Sequence, residues 1–412
     1  MSLEIRPIGP DELVGWTRAM GRSYSFAADP EGVAAFRRGR LQPEDAGRSL
    51  GAFDGAIAVG TFRSFPTPLT LPGGSTVPVA AITQVGVVPT HRRRGALSAM
   101  MAADLRADAE RGEVAAILIA SEYPIYGRYG FGPATEHATL TIDRAQARFS
   151  APVADPGSID WLEPAAAAGP LAEVFEAHRR SQPGEIHRRS YRWEVDVGLV
   201  AFPGQPPWTG FIVIHRRADD APDGFLRYHV DETHDGRRST SVLVVDELLA
   251  ADPLAEASLW RFALDVDLVA SVRAADRRVD EPIVWRLADA RAARQTDRAD
   301  FVWLRPLDLV ALLEARRYLV TGRVILEVVD PGGPVAGRYA LEVGPDGARC
   351  RPTRATPGLR IPVAALGSVV LGGVPVRRLA DAGRVEVLEP PALAVADAAF
   401  AWPVEPWSAT WF

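Results

Sequence analysis

Hydrophobic positions along this chain change period as they go, and the change places its elements. Ile82-Thr-Gln-Val-Gly-Val-Val-Pro89 is a β-type apolar run. Arg92, Arg93, Arg94 and Gly95 interrupt it, and from Leu97 onward Met100, Met101, Leu105 and Ala109 fall at helical spacing. Gly112 predicts a helix C-cap, and Val114-Ala-Ala-Ile-Leu-Ile-Ala120 a buried strand. Upstream, Glu4-Ile-Arg-Pro7 predicts a short strand and residues 11–20 a helix; two further strands are predicted over residues 56–62 and 76–85, around the turn Leu71-Pro-Gly-Gly74. Strand, basic glycine turn, helix and next strand form one β-α-β unit of an α/β domain.

Near residues 151–156 the composition turns to Ala, Pro, Asp and Gly, which predicts a linker. The segment beyond the linker echoes the start of the chain: Ser158-Ile-Asp-Trp161 as a strand and residues 170–178 as a helix. Phe211-Ile-Val-Ile, Phe225-Leu-Arg-Tyr-His-Val and Ser241-Val-Leu-Val-Val predict strands, and residues 255–264 a helix. This second unit has Asp246-Glu-Leu-Leu-Ala-Ala-Asp-Pro253 where the first has its arginines, so it is expected to be a structural duplicate. A third unit is expected to start with a helix near Leu304, with strands over residues 322–329 and 337–343 and a short helix within residues 361–373. The expected domains are residues 1–150, 151–300 and 301–412, of mixed α/β class.

At 412 residues the chain is too long for one typical core. Its net charge is -6, and the positive charges are all arginine, since there is no lysine. A mildly acidic protein is a poor nonspecific nucleic-acid binder and suits a cationic substrate. The single cysteine, Cys350, excludes a disulfide framework and reads as a small apolar strand residue. His178 and His187, like His229 and His234, lack ligand spacing, so no metal is expected. No run approaches membrane-spanning length, and the expected compartment is the cytoplasm.

Two segments carry candidate chemistry. A glycine turn between strand and helix exposes the free amides of the helix's first turn to an anion, and arginines add charge-assisted bonds. Residues 92–98 are therefore a candidate pyrophosphate cradle; the plainer reading is an exposed arginine cluster opening a surface helix. Ala120-Ser-Glu-Tyr-Pro-Ile-Tyr-Gly-Arg-Tyr-Gly-Phe-Gly132 comes after the strand beside the cradle. A tyrosine there can protonate a departing thiolate, although the plainer reading of Tyr126 and Tyr129 is as core aromatics.

Arg92-Arg-Arg-Gly95-Ala-Leu97 resembles the acetyl-CoA signature Arg/Gln-x-x-Gly-x-Gly/Ala of the GNAT acetyltransferases, departing from it at Leu97. Tyr126-Gly-Arg-Tyr-Gly-Phe-Gly-Pro133 after Ser121-Glu122, together with Pro89-Thr-His-Arg-Arg-Arg-Gly95, is similar to the enhanced-intracellular-survival (Eis) acetyltransferases, and the likeness spans the whole chain. It implies tandem GNAT-like domains and a sterol-carrier-protein-like domain, the last carried by Leu366-Gly-Ser-Val-Val-Leu-Gly-Gly373 and Leu379-Ala-Asp-Ala-Gly-Arg-Val-Glu386.

The resemblance implies acetyl-CoA contacts at Val85, Gly86, Val87, Arg92, Arg93, Arg94, Gly95, Ala96, Leu97, Ser98, Ser121 and Glu122. It implies Tyr126 as the acid and the α-carboxylate of Phe412 as the base. An acidic, apolar-walled substrate cavity would draw on Tyr24, Phe26, Asp29, Phe36, Glu122 and Glu405. The expected acceptor is an aminoglycoside-like polyamine or a lysine side chain, and the expected assembly a homo-hexamer, with neither nucleic acid nor membrane as partner. The rival expectation is an apolar-ligand-binding protein that uses its third unit while the GNAT units serve as scaffold.

Overall fold

The computed structural model describes residues 3–26 and 29–412. The chain divides into two units: one holds the chain up to Thr135 with Phe202–Gln205 and Phe301–Phe412, the other Glu136–Ala201 with Pro206–Asp300.

In the first unit the strands Glu4–Pro7, Ser49–Asp54, Ile57–Thr70, Thr76–Val87, Ala115–Ile119, Val302–Pro306 and Gly132–Pro133 lie side by side in that order. The first four run antiparallel, and Thr76–Val87 then pairs in parallel with Ala115–Ile119. A parallel step needs a crossover, and the helix Ala96–Glu110 provides it. Its Met100 and Met101 pack with Phe62, Ala80, Ile82 and Leu118 in the core. On the helix Leu13–Tyr24, Trp16 is fully buried and donates its indole N–H to the Leu50 carbonyl at 2.7 Å.

Two expectations about the chain's course are corrected. Residues at Leu304 are a strand, Val302–Pro306, paired antiparallel with Ala115–Ile119, and not a helix. All five are buried and complete the first sheet; the helix Leu309–Ala315 starts only after Asp308, whose carboxylate accepts from the Ala311 amide at 3.0 Å. The strand Glu136–Asp143 belongs to the second unit's sheet, between Ala293–Asp300 and Ser271–Arg277, so the chain leaves the first unit at Thr135 and not near residue 150. That sheet continues through Val242–Ala250, Pro222–Asp231, Phe211–Arg216 and Ser158–Trp161.

The C-terminal part of the first unit has its own sheet: Gly347–Pro352, Gly337–Gly344, Gly322–Val329, Leu359–Pro362 and Glu386–Val387. Arg316, fully buried, ties this part together. Its guanidinium donates to the carbonyls of Val370 at 2.9 Å, Ala399 at 2.8 Å and Phe400, closing the end of the helix Pro390–Phe400. The tail beyond is anchored by buried Trp407, Ser408 and Thr410.

The crossover helix is fastened from behind by buried polar groups. Asp104 and Asp108, one turn apart and buried, face the core. The Ser64 hydroxyl donates to Asp104 at 2.9 Å, and Arg48 reaches Asp108 at 3.4 Å and Glu113 at 2.6 Å. Burial, then the charges of Asp104 and Glu113, push Asp108 up to about 9 against the pull of Arg48. An unfolded aspartate releases its proton near pH ~4, whereas the folded chain holds it to about pH 9. The contribution of Asp108 to stability is therefore full at acid pH and is lost as pH rises through that window. Asp108→Asn cannot ionise, so the Tm difference, variant minus wild type, should grow between mildly acid and alkaline buffers in thermal unfolding. A difference independent of pH would show Asp108 ionised throughout.

Candidate active site

The parallel pair at the centre of the first sheet parts company halfway. Val79 to Ile82 pair with Ala115 to Leu118, and the register ends there. On the other side Thr76–Val87 stays paired with Ile57–Thr70 as far as Val87, with a bulge between Thr61 and Arg63. Gln84 sits at φ +57°, and its carbonyl accepts from the Thr61 hydroxyl at 2.9 Å, which holds the kink. The Val88 amide donates to Val59 on the Ile57–Thr70 side, so strand alternation turns the polar groups of Val87 into the open wedge.

At the mouth of the wedge the chain makes its basic turn. Arg93 at φ +62° and Gly95 at φ +81° take left-handed backbone, a nest-forming sequence. Gly95 precedes the helix with no side-chain cap, leaving the first-turn amides of Ala96, Leu97 and Ser98 without intrahelical acceptors. The Arg92 and Arg93 side chains make no hydrogen bond or ion pair with any described residue. Arg94 is different: it joins His91 on Asp54, each at 3.2 Å, and these two bonds hold the Asp54 carboxyl below its usual range. Two arginines are thus available to an anion while the third braces the turn.

Wedge and turn open into one cavity of about 640 Å³. It gathers Val85, Gly86, Val87, Arg92, Arg93, Gly95, Ala96, Leu97, Ser98, Ser121, Glu122, Tyr126 and, from the substrate set, Tyr24. Tyr24 donates its hydroxyl to the Val85 carbonyl at 3.0 Å. Tyr126, at the end of the short helix Tyr123–Tyr126, is 7 % exposed and packs edge-on against Phe131. Its hydroxyl has no partner among the described residues. Burial, then Tyr24, Glu122 and Tyr129, raise its proton affinity above the ordinary phenol, so it stands protonated at neutral pH and can act only as a donor of that proton.

Other expected residues lie outside this cavity. Phe26 is exposed beside Tyr24, ring centroids 6.3 Å apart. Asp29 caps the helix Pro30–Arg38 by accepting from the Glu31 amide at 3.2 Å. Phe36 packs edge-on against Phe202 and under the Arg40 guanidinium. Phe412 rests its ring against Phe65, 6.0 Å between centroids, and Trp411 meets Phe301 at 4.8 Å. Phe65 pairs with Ala81 on the same strand whose end lines the cavity, about 13 Å from Val85 at the usual strand rise. Glu405 lies in the tail near Gly373. Sequence reading missed Ser23, Ile125 and Arg128 as cavity walls; no spacing signal marks Ser23, which meets the strand only through the fold.

The second unit has the same parting without the cradle. Val242 to Val245 pair in parallel with Ser271 to Ala274 and no further. Here the helix Pro253–Asp265 is capped by Asp252, which accepts from the amides of Leu254 at 2.7 Å and Ala255 at 3.4 Å. Arg277 occupies the gap, donating to the Leu248 carbonyl and to Glu281, with its guanidinium over Trp260. Helix amides and strand carbonyl are already satisfied, and a carboxylate stands where an anion would dock.

A splayed parallel pair leading to a basic glycine turn defines a GNAT acetyltransferase. Family descriptions agree: an acetyltransferase (GNAT) domain matches residues 4–134, a second one residues 184–306, and a sterol carrier protein domain residues 309–409. The N-acetyltransferase Eis of Mycobacterium tuberculosis is 35 % identical over 401 residues, 95 % of each chain. An uncharacterised N-acetyltransferase of Streptomyces avermitilis is 42 % identical over 414 residues, covering 98 % of this chain and 97 % of that one. The crystal structure of Eis1 from Mycobacterium abscessus superposes with a TM-score of 0.86 at 34 % identity, covering 99 % of this chain and all of that one. The chain belongs to the Eis family of N-acetyltransferases, with two GNAT domains followed by a sterol-carrier-like domain.

Gly86 tests the wedge. A Cβ there would lie 2.7 Å from the Ser23 Cβ, on the helix that also carries Tyr24. Gly86→Ala should cost about 1–3 kcal/mol in unfolding free energy through forced displacement and should weaken binding of coenzyme A in calorimetry. Unchanged stability and affinity together would mean that helix and strand are free to move apart.

Proposed function

We propose that this enzyme transfers the acetyl group of acetyl-CoA directly to a primary amine of an aminoglycoside-like polyamine or of a lysine side chain. The observation that carries the reading is one cavity with a basic, amide-lined turn at one end and the unpartnered, protonated hydroxyl of Tyr126 within it. The pyrophosphate of the cofactor would take the amides of residues 95–98 with Arg92 and Arg93, and its pantetheine arm the open strand edge at Val87. The amine nitrogen attacks the thioester carbonyl carbon, the C–S bond breaks, and the thiolate takes the Tyr126 proton. The ammonium proton passes to the carboxylate of Phe412, whose ring rests against Phe65 on the neighbouring strand Ile57–Thr70.

Exposed Glu122 on the cavity wall favours a cationic acceptor. Cys350 does not suit an acetyl-enzyme: it is buried in the C-terminal sheet, and burial pushes its thiol up to about 12. Among the described residues no helix is long and apolar enough to cross a membrane. We place the enzyme in the cytoplasm and, following the family resemblance, in a homo-hexamer, which light scattering would check.

Release of free thiol from acetyl-CoA across a panel of aminoglycosides and lysine peptides tests the reading. Turnover with either class supports it. No turnover with any amine, combined with binding of an apolar ligand, would instead favour a lipid-type binding protein. Tyr126→Phe should lower kcat about 100-fold or more, in the range of general-acid contributions, with acetyl-CoA affinity nearly unchanged; an undiminished rate removes Tyr126 from the mechanism. A peptide fused after Phe412 should impair turnover far more than the same peptide at the N-terminus, because it replaces the carboxylate by an amide. Equal rates would assign the base elsewhere.

A further inference from the structure

The strand edge that stands open at Val87 is closed two residues earlier. Residues two apart on a strand turn their backbone groups to the same edge, so Val85 and Val87 both address the wedge. The Tyr24 hydroxyl donates to the Val85 carbonyl at 3.0 Å. Its ring lies on the wall of the 640 Å³ cavity, together with Ser23 and Gly86. Tyr24 belongs to no strand: it is the last residue of the helix Leu13–Tyr24. A side chain from another element thus supplies the donor that a neighbouring strand would supply in a continuous sheet.

The surroundings of this ring are pinned and the ring itself is not. Ser25, at φ +59°, ends the helix, and its amide and that of Phe26 both donate to the Gly21 carbonyl. The Ser23 hydroxyl is tied back to the Ala19 carbonyl at 2.8 Å. Below it the strand comes so close that a Cβ on Gly86 would stand 2.7 Å from the Ser23 Cβ. Helix end and strand are therefore packed at the level of their backbones. The Tyr24 side chain is 43 % exposed, and its ring neighbour Phe26, 6.3 Å away between centroids, is exposed too. Rotation of an exposed side chain takes nanoseconds or less, and here it would lift the hydroxyl off Val85 without moving either backbone.

We propose that Tyr24 is a latch on the cofactor edge. Its hydroxyl satisfies the Val85 carbonyl while the cavity is empty, and it surrenders that carbonyl to an amide N–H of the entering pantetheine arm. The inference rests on the proposed cofactor reading and adds a competitor to it. An unpaired carbonyl in mid-sheet is unfavourable, and an open strand edge is a template for any extended chain; the latch removes both liabilities in the empty enzyme. A carbonyl has a second lone pair, so the latch denies the approach as well as the acceptor, with its ring against the edge along which the arm would run. Exchange replaces one neutral hydrogen bond by another, and the bond given up is exposed. The latch therefore weakens the cofactor by a modest factor, about two- to tenfold. It leaves the basic turn alone: Tyr24 makes no hydrogen bond with residues 92–98 among the described residues.

Calorimetry on the full chain with coenzyme A and with ADP tests this, since ADP carries a pyrophosphate and no pantetheine arm. Tyr24→Phe keeps the ring and removes the hydroxyl. It should bind coenzyme A about two- to tenfold more tightly than the wild type, with the affinity for ADP unchanged. A hydroxyl that merely braced the helix would give the opposite sign, because its loss would loosen the cavity wall. If Tyr24→Phe binds coenzyme A no more tightly than the wild type, or gains the same factor for ADP, the latch is overturned. If the wild type binds neither coenzyme A nor ADP, the cofactor reading itself falls and takes this inference with it.

Discussion

The candidate site of the first unit is shaped by two parallel strands that stop pairing after Ile82 and Leu118. A strand in mid-sheet normally has its backbone groups satisfied on both edges. Here Thr76–Val87 keeps its antiparallel neighbour and loses its parallel one, so a short row of polar groups faces a wedge and not another strand. The kink at Gln84, held by Thr61, makes the loss permanent. One freed carbonyl, that of Val85, is met by the Tyr24 hydroxyl; the wedge also widens toward the helix whose first-turn amides are uncapped. A ligand carrying amides along its length and a doubly charged anion at its middle answers both deficits at once.

The second unit shows how little separates a site from a scaffold. Its central strands part in the same way, yet the helix amides and one strand carbonyl have partners there: Asp252 caps the helix, and Arg277 bonds the Leu248 carbonyl. Arg277 is in turn neutralised by Glu281 at 3.0 Å and Glu256 at 3.4 Å. The fold is kept while an internal salt-bridge network stands where the first unit has its open basic turn, so the two units share an architecture and differ in their side chains.

Local signals in the sequence were legible because local physics sets them. The arginine-glycine turn, the helix after it and the Tyr126 segment are written in contiguous residues, and the cavity brings most of them together. What could not be read is pairing at a distance. Val302–Pro306 looks like the approach to a helix, and only the open edge of Ala115–Ile119 makes it a strand; Glu136–Asp143 alternates well enough for either sheet, and its partners lie more than a hundred residues onward. Strand identity of this kind is decided by neighbours. The same holds for the substrate set. Asp29 and Phe36 carry chemistry suited to an acidic, apolar cavity, yet the first is used as a helix cap and the second as an aromatic contact with Phe202.

Residues 401–412 are held by buried Trp407, Ser408 and Thr410, where an untied segment would fray. Arg316 spends a buried guanidinium on four main-chain carbonyls, those of Arg317, Val370, Ala399 and Phe400, with no carboxylate among the described residues to pair it. Burial lowers its proton affinity, yet an arginine stays charged, and a buried unpaired charge is expensive. Tyr318 and Phe400 offer it only ring faces, at 4.7 and 5.4 Å. The arrangement fixes the point at which the chain leaves the helix Pro390–Phe400, and so the line along which residues 401–412 run to Phe65. If stability alone were at stake, an apolar side chain filling the same space would serve as well or better. An arginine that can bond the Val370 carbonyl and the last carbonyls of the helix Pro390–Phe400 at once is the better choice when the position of the tail, rather than the burial of its aromatics, is what the molecule must hold.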